Sequence, residues 1–204
     1  MSDARTNPEL ATRLSIELPS WATSVLGGVG PLAGDDLRMA LVLRLADAAA
    51  TNTHGGPFAA AIFRADGGGL LSAGVNMVLA SRAPVAHAEI VAIALAGTRL
   101  DTYDLAREGP IELVTSCEPC AMCMGSLPWA GITRLVIGAR DGDARAVGFD
   151  EGDKRRDWAA RLQARGIDVV RDVRRAEAAA ILRRYAERGG LIYNGRTPAE
   201  RAGA

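Results

Sequence analysis

The stretch TSCEPCAMCMG, Thr115 to Gly125, joins two elements of opposite character and carries all three cysteines of the chain. The residues that lead into it, IELVTS (Ile111–Ser116), are apolar and partly β-branched, and predict a strand. Pro119 has its φ preset and no amide proton to lose, which suits the first turn of a helix. Cys120 and Cys123 are three apart, so on that helix both sulfurs lie on one face. A strand running straight into a helix is half of an α/β unit, and the same alternation extends outward. Asp35-Asp36 start a helix through LRMALVLRLADAAA. FAAAIFRA (58–65) and LLSAGVNMVLA (70–80), separated by Asp66 and three glycines, predict a hairpin. Residues 86–100 predict an apolar helix and 133–139 a strand. A helix near 158–165, a short strand at 167–170 and a helix at 175–188 follow; Gly189-Gly190 stop the last, and LIYNG predicts a terminal strand or arm. This order predicts an α/β fold, a three-layer α/β/α sandwich around a central mixed sheet. The expected organisation is an extension over 1–34, whose end packs on the domain, and one domain over 35–204 with a C-terminal arm near 189–204.

The 204 residues are 49% hydrophobic, enough for one domain with a full core. Net charge is zero and the pI about 6.7, without the basic excess of a polyanion binder. No segment approaches the run of about 18 apolar residues that a membrane helix requires, and the N-terminus lacks a signal-peptide pattern. The expectation is a cytoplasmic protein with no membrane partner. An odd number of clustered cysteines is unlike a secreted disulfide framework and favours metal or catalytic use.

Cys120 and Cys123 sit where unpaired backbone N–H groups and the positive end of the helix dipole stabilise thiolates. A lone C-x-x-C also fits a redox pair. The chain has no further cysteine and two histidines: His54 at a helix end, read as structural, and His87 at a helix start. The available metal set is therefore His87, Cys120 and Cys123, three ligands that suit Zn2+ and leave one coordination position for water. Cys117 is the spare thiol, either a small buried apolar residue or an alternative ligand. Glu89, two residues beyond His87, is placed to reach a metal-bound water as a proton shuttle, the catalytic role; its plain alternative is a helix N-terminal acid.

His87-Ala88-Glu89 with Pro119-Cys120-Ala121-Met122-Cys123 matches the H-x-E…P-C-x-x-C signature of zinc deaminases. The chain resembles the cytidine-deaminase-like superfamily. Within it, GGPFAAAIF, GVN, AHAEIVAI, VTSCEPCAMCMG, PWAG, GFDEG and LIYNG, spread from about 55 to 195, are similar to bacterial guanine deaminases. The resemblance implies hydrolytic deamination of a free purine base, guanine to xanthine plus ammonia. A zinc-activated water would attack the carbon bearing the amine, and Glu89 would carry protons to the leaving ammonia. The ring would sit against Phe58 and Trp129, Asn76 would hydrogen-bond the base, and Glu151 would accept a ring N–H. Tyr193 would come from a C-terminal arm that in this family can exchange between subunits of a homodimer. Each has a plainer alternative: Asn76 a turn residue, Phe58 and Trp129 core aromatics, Asp150-Glu151 a solvated loop, Tyr193 an edge aromatic. Glu151 stands where many of these enzymes have aspartate, and GPFAA replaces the more usual GPFGA.

Other substrates in view are ammeline or another s-triazine, guanosine and cytosine. An enzyme acting on tRNA adenosine shares the zinc motif but should show a basic face; residues 150–204 hold thirteen Lys/Arg against nine Asp/Glu, a mild excess. A non-catalytic zinc domain would have no need of Glu89. The partner expected is a small base, with no nucleic acid.

Overall fold

The computed structural model describes residues 11–52 and 55–195; His54 lies outside them. Five strands are β1 (Ala59–Arg64), β2 (Leu70–Val75), β3 (Ile111–Cys117), β4 (Arg134–Ala139) and β5 (Asp168–Val170). The helices are α1 (Ser20–Leu26), α2 (Gly34–Thr51), α3 (Val78–Ser81), α4 (Ala88–Leu100), α5 (Ala121–Ser126), α6 (Asp141–Ala146), α7 (Trp158–Gln163) and α8 (Arg175–Glu187). The sheet order is β2-β1-β3-β4-β5. β1 runs antiparallel to β2 and β3, whereas β3, β4 and β5 are parallel, so the sheet is mixed as the alternation of elements predicts.

Both faces of the sheet are covered. Along β1 the side chains alternate. Ala59, Ala61 and Phe63 join a core with Met39 and Leu45 of α2 and Ile181 and Leu182 of α8. Ala60 and Ile62 join a second core with Ala92 and Ala96 of α4 and Trp158 and Leu162 of α7. Burial on two faces explains why β3 and β4 read as nearly continuous apolar runs. The charged exception within β3 is Glu112, fully buried, which accepts from Arg38 of α2 at 2.8 Å and is also paired to Arg134. These charges tie α2 to the sheet at the end opposite the cysteines.

Three expectations change. The second hairpin strand stops at Val75 rather than reaching residue 80. Asn76 Oδ1 accepts the Val78 N–H at 3.2 Å and Ser81 Oγ donates to Met77 O at 2.7 Å, so side chains close a helical turn where a strand would continue. LIYNG forms no strand over residues 191–195: side chains fasten it instead, with Tyr185 Oη donating to the Leu191 carbonyl at 2.8 Å and Asn194 bridging the Asp150 N–H and the Gly148 carbonyl. Helices α1 and α6 were not expected. In α6, Asp143 Oδ2 accepts the Arg140 N–H at 2.8 Å, a capping contact that DGDARA carries without strong apolar periodicity.

Candidate active site

Ligands converge where the parallel strands end, the customary place for a site in an α/β sheet. Cys117, the last residue of β3, pairs with Ala139, the last of β4. Glu118 and Pro119 then lead into α5, with Cys120 as its N-cap and Cys123 in its first turn. From the other side, α4 packs on β1 and β2. Gly74 permits this: a Cβ there would stand 2.2 Å from Ala88 O and 2.6 Å from Ala92 N, so α4 closes on β2 only over glycine. His87 is the N-cap of α4 with an extended backbone (φ −70°, ψ 159°), and Glu89 lies inside the first turn. The change of conformation between them lets the ring and the carboxyl approach the cysteines from different directions.

His87 Nδ1 lies 3.5 Å from Cys120 Sγ, and the three potential ligand atoms of His87, Cys120 and Cys123 all fall within 4.8 Å of one another. A tetrahedral zinc with ordinary Zn–S and Zn–N bonds needs an S···N edge of about 3.6 Å. The donor chemistry fits as well, with one imidazole nitrogen and two sulfurs. The neighbouring Cys123 thiol, with further help from His87, holds the Cys120 thiol down at about 4 against burial. Cys123 keeps its proton and is pushed in the opposite direction, by Cys120 beside it and by burial. One proton on two sulfurs is the state that a divalent cation would displace. Cys117 stays outside this group; it is buried, which pushes its thiol well up, and its Sγ is 3.8 Å from the Arg140 carbonyl. It is thus a small buried side chain at the strand end.

Glu89 is buried, and its carboxyl is raised first by that burial and then by the nearby Cys120 charge. Thr115 Oγ1 lies 3.3 Å from Glu89 Oε1 and 3.0 Å from Cys117 O, orienting the carboxyl from the sheet side. A raised, water-poor carboxyl beside a metal position is suited to taking and returning a proton.

The cleft above these groups is lined by Phe58, Asn76, Glu118, Phe149, Glu151 and Tyr193 together with His87, Glu89 and Cys120. The hairpin register, with Ala59 opposite Val75, sets Phe58 beside Asn76, whose N–H donates to Phe58 O at 3.1 Å. The Phe58 ring meets Phe149 edge to face, with centroids 4.8 Å apart. Asn76 Nδ2 donates to Tyr193 Oη at 2.5 Å, so the tyrosine of the same chain reaches the cleft. Glu151 is buried, and its backbone carbonyl accepts the Ala121 N–H at 3.0 Å, fastening the GFDEG loop to the start of α5. Burial pushes its carboxyl up to about 8, even though Lys154 pulls the other way.

Trp129 is not among the residues that line this cleft. It is 86% exposed and lines a separate groove with Met124, Trp158 and Arg161. Leu127, Ala130 and Ile132, buried around it in the turn after α5, take the inward positions and leave the indole facing out.

The family described as the cytidine and deoxycytidylate deaminase zinc-binding region matches residues 34–139, just over half of the chain. The chain belongs to this zinc-binding deaminase family. Guanine deaminase of Bacillus subtilis (strain 168) is 41% identical over 97 residues, covering 48% of this chain and 59% of that protein. A tRNA-specific adenosine deaminase of Haemophilus influenzae is 32% identical over 114 residues, covering 56% and 63%. The matches thus span about six tenths of these two relatives. The solved guanine deaminase from Nitrosomonas europaea is 43% identical and superposes with a TM-score of 0.82 over 87% of this chain and 98% of that one. A solved complex with 2,6-diaminopurine is 45% identical, with a TM-score of 0.83 over 91% and 98%.

Several residues of this deaminase escape a reading by motif. Thr115 sits in an apolar strand, and Phe149 in a loop whose apolar residue beside two acids was the only signal. Asn194 clamps the tail to that loop through the Asp150 N–H at 2.8 Å. Glu118 and Lys154 are charged residues that read as solvent-facing, yet their side chains are only 5% and 6% exposed and pair at 3.0 Å.

Proposed function

We propose that this deaminase hydrolyses a free purine base, converting guanine and water to xanthine and ammonia. The observation that carries the reading is the buried Glu89 carboxyl set beside the His87–Cys120–Cys123 group, at the floor of a cleft that also holds Phe58, Asn76 and Glu151. Zinc held by those three residues would supply Lewis acidity and lower the pKa of a water at its open position. Glu89 takes a proton from the attacking water and delivers it to the exocyclic nitrogen, as a C–O bond forms and the C–N bond breaks at the same carbon. Phe58 gives the ring an apolar wall, Asn76 hydrogen-bonds the base, and Glu151 accepts a ring N–H. Tyr193, bonded to Asn76, closes the cleft from the C-terminal side. Support for a free base comes from the guanine deaminase relatives and from the solved complex with 2,6-diaminopurine.

The test is ammonia release from guanine, ammeline, guanosine, adenine and cytosine by the zinc-loaded protein and by Glu89→Ala. Guanine is expected to be turned over fastest, and the variant to lose about 10²–10⁴-fold in kcat with its zinc retained. Turnover confined to another amine would keep the zinc chemistry and remove the roles of Asn76 and Glu151. The proposal includes a cytoplasmic homodimer built on a domain over 35–204, in which the arm packs on its own chain's cleft through Tyr193 and the uncovered Trp129 is the surface that a partner would bury. A purely monomeric protein in sedimentation at micromolar concentration would remove the dimer.

A further inference from the structure

The GFDEG loop has no regular backbone pattern between residues 150 and 155, yet it must present Glu151 to the cleft. What holds it is largely electrostatic. Lys154 extends its side chain inward and ends among oxygens from three separate segments. Its Nζ lies 3.0 Å from Glu118 Oε1 and 3.1 Å from the Pro119 carbonyl, both immediately before the ligand Cys120. It lies 2.6 Å from Asp141 Oδ1, the first residue of α6, and 3.9 Å from Glu151 Oε2. Its side chain is 6% exposed.

The pairing around this ammonium is uneven. Glu118 has a second cation, Arg171, at 3.2 Å. Asp141 has Arg145 at 2.7 Å, and Arg145 also donates to Gly152 O at 2.7 Å and lies 3.6 Å from Asp150. Among the described residues Glu151 has Lys154 alone, and at the longest of the three separations. Glu118 and Asp141 therefore each face two protein cations, while the Glu151 carboxyl faces one and keeps capacity for a substrate N–H. A buried charge with its partners removed is costly, so the arrangement holds only while the ammonium is present. Gly152, at φ +70°, lets the chain turn back so that Lys154 reaches inward; a Cβ there would lie 3.0 Å from Ala121 Cβ.

From this geometry we infer that Lys154 is a positioning residue for substrate recognition: it locks the Glu151 loop against the segment that carries Cys120. The inference rests on the role of Glu151 toward a base. Lys154 touches no substrate in it; it acts through Glu151.

The test compares Lys154→Met and Asp141→Asn, the latter a near-isosteric loosening of the same anchor should the former fold poorly, each alone and combined with Glu151→Gln. Three quantities are measured on the zinc-loaded proteins: zinc per chain, the Kd for 8-azaguanine by calorimetry, and amide hydrogen exchange of residues 149–155. Expected is one zinc per chain in every variant and faster exchange in the loop. Binding should weaken about tenfold in Lys154→Met, with little further loss when that change is added to Glu151→Gln, because the two act as one unit. Full additivity of the two changes, or unchanged loop exchange with unchanged Kd, overturns the inference. Failure of the unaltered protein to bind 8-azaguanine would count instead against the purine reading; loop exchange then still decides whether Lys154 holds the loop, and slow exchange in Lys154→Met overturns the inference by itself.

Discussion

At the scale of single residues, the site is a set of carboxyls and thiols held in protonation states that water would not favour. Glu151 shows the consequence most directly. Burial raises its carboxyl from 4.5 to about 8. Between those values the folded chain keeps a proton that the unfolded chain has released. The folded state then binds more protons, so its stability falls as pH rises through this window and is highest below it. In metal-stripped protein the melting temperature is expected to drop between about pH 5 and pH 8, and Glu151→Gln should flatten that slope. Equal slopes in the two proteins, measured by calorimetry in matched buffers, would refute the assignment. How legible such residues are depends on how local their geometry is. His87, Cys120 and Cys123 could be proposed from spacing because each sits at a helix start whose direction its neighbours dictate. Lys154 and Glu118 could not, because their meaning lies in a pairing 36 residues apart and charged side chains ordinarily face water. Trp129 shows the converse: an aromatic after a short helix reads as inward-facing, whereas the buried Leu127, Ala130 and Ile132 occupy that side within one chain.

At the scale of elements, function depends on two helix starts meeting at the end of β3. Strand and helix identities were legible from periodicity, and β1, β3, β4, α4 and α8 lie within a residue or two of where the pattern puts them. Irregular parts were not, since Asn76, Asp143 and Asn194 shape the backbone there through side-chain hydrogen bonds that leave no apolar period. The closeness of α4 to β2 is the element-level requirement, and Gly74 is where it can be tested. Gly74→Ala places a methyl against Ala88 O and Ala92 N, both backbone atoms that cannot rotate away. Pushing α4 outward is expected to cost about 1–3 kcal/mol of stability. Activity should suffer more than stability, because His87 and Glu89 ride on the displaced end. Thermal melting and zinc content of the same preparation check this; a variant with lowered stability but full zinc and full turnover would show that the helix start is not held by this contact.

For the whole molecule the question is what reaches the cleft. Two classes of relative match the chain, one named for a free base and one for tRNA, and long-range electrostatics separates them. The chain is neutral overall, with 24 basic and 24 acidic residues. Much of the positive charge on the later half is already committed internally: Arg140 to Asp172, Arg145 to Asp141, Arg175 to Asp143 and Arg171 to Glu118. A protein that neutralises several phosphates releases their counterions and loses orders of magnitude in affinity between about 50 and 200 mM salt. A neutral base releases none, and a cleft lined by Phe58, Phe149 and buried carboxyls has little to lose by screening. The kcat/KM for guanine is therefore expected to change by less than about twofold across that salt range. Activity on tRNA should be absent at either end of it. A steep fall with salt, or deamination of a tRNA anticodon stem-loop that salt abolishes, would mean that the exposed arginines near Trp129 serve a phosphate backbone, and that the small-base reading has taken part of the substrate for the whole.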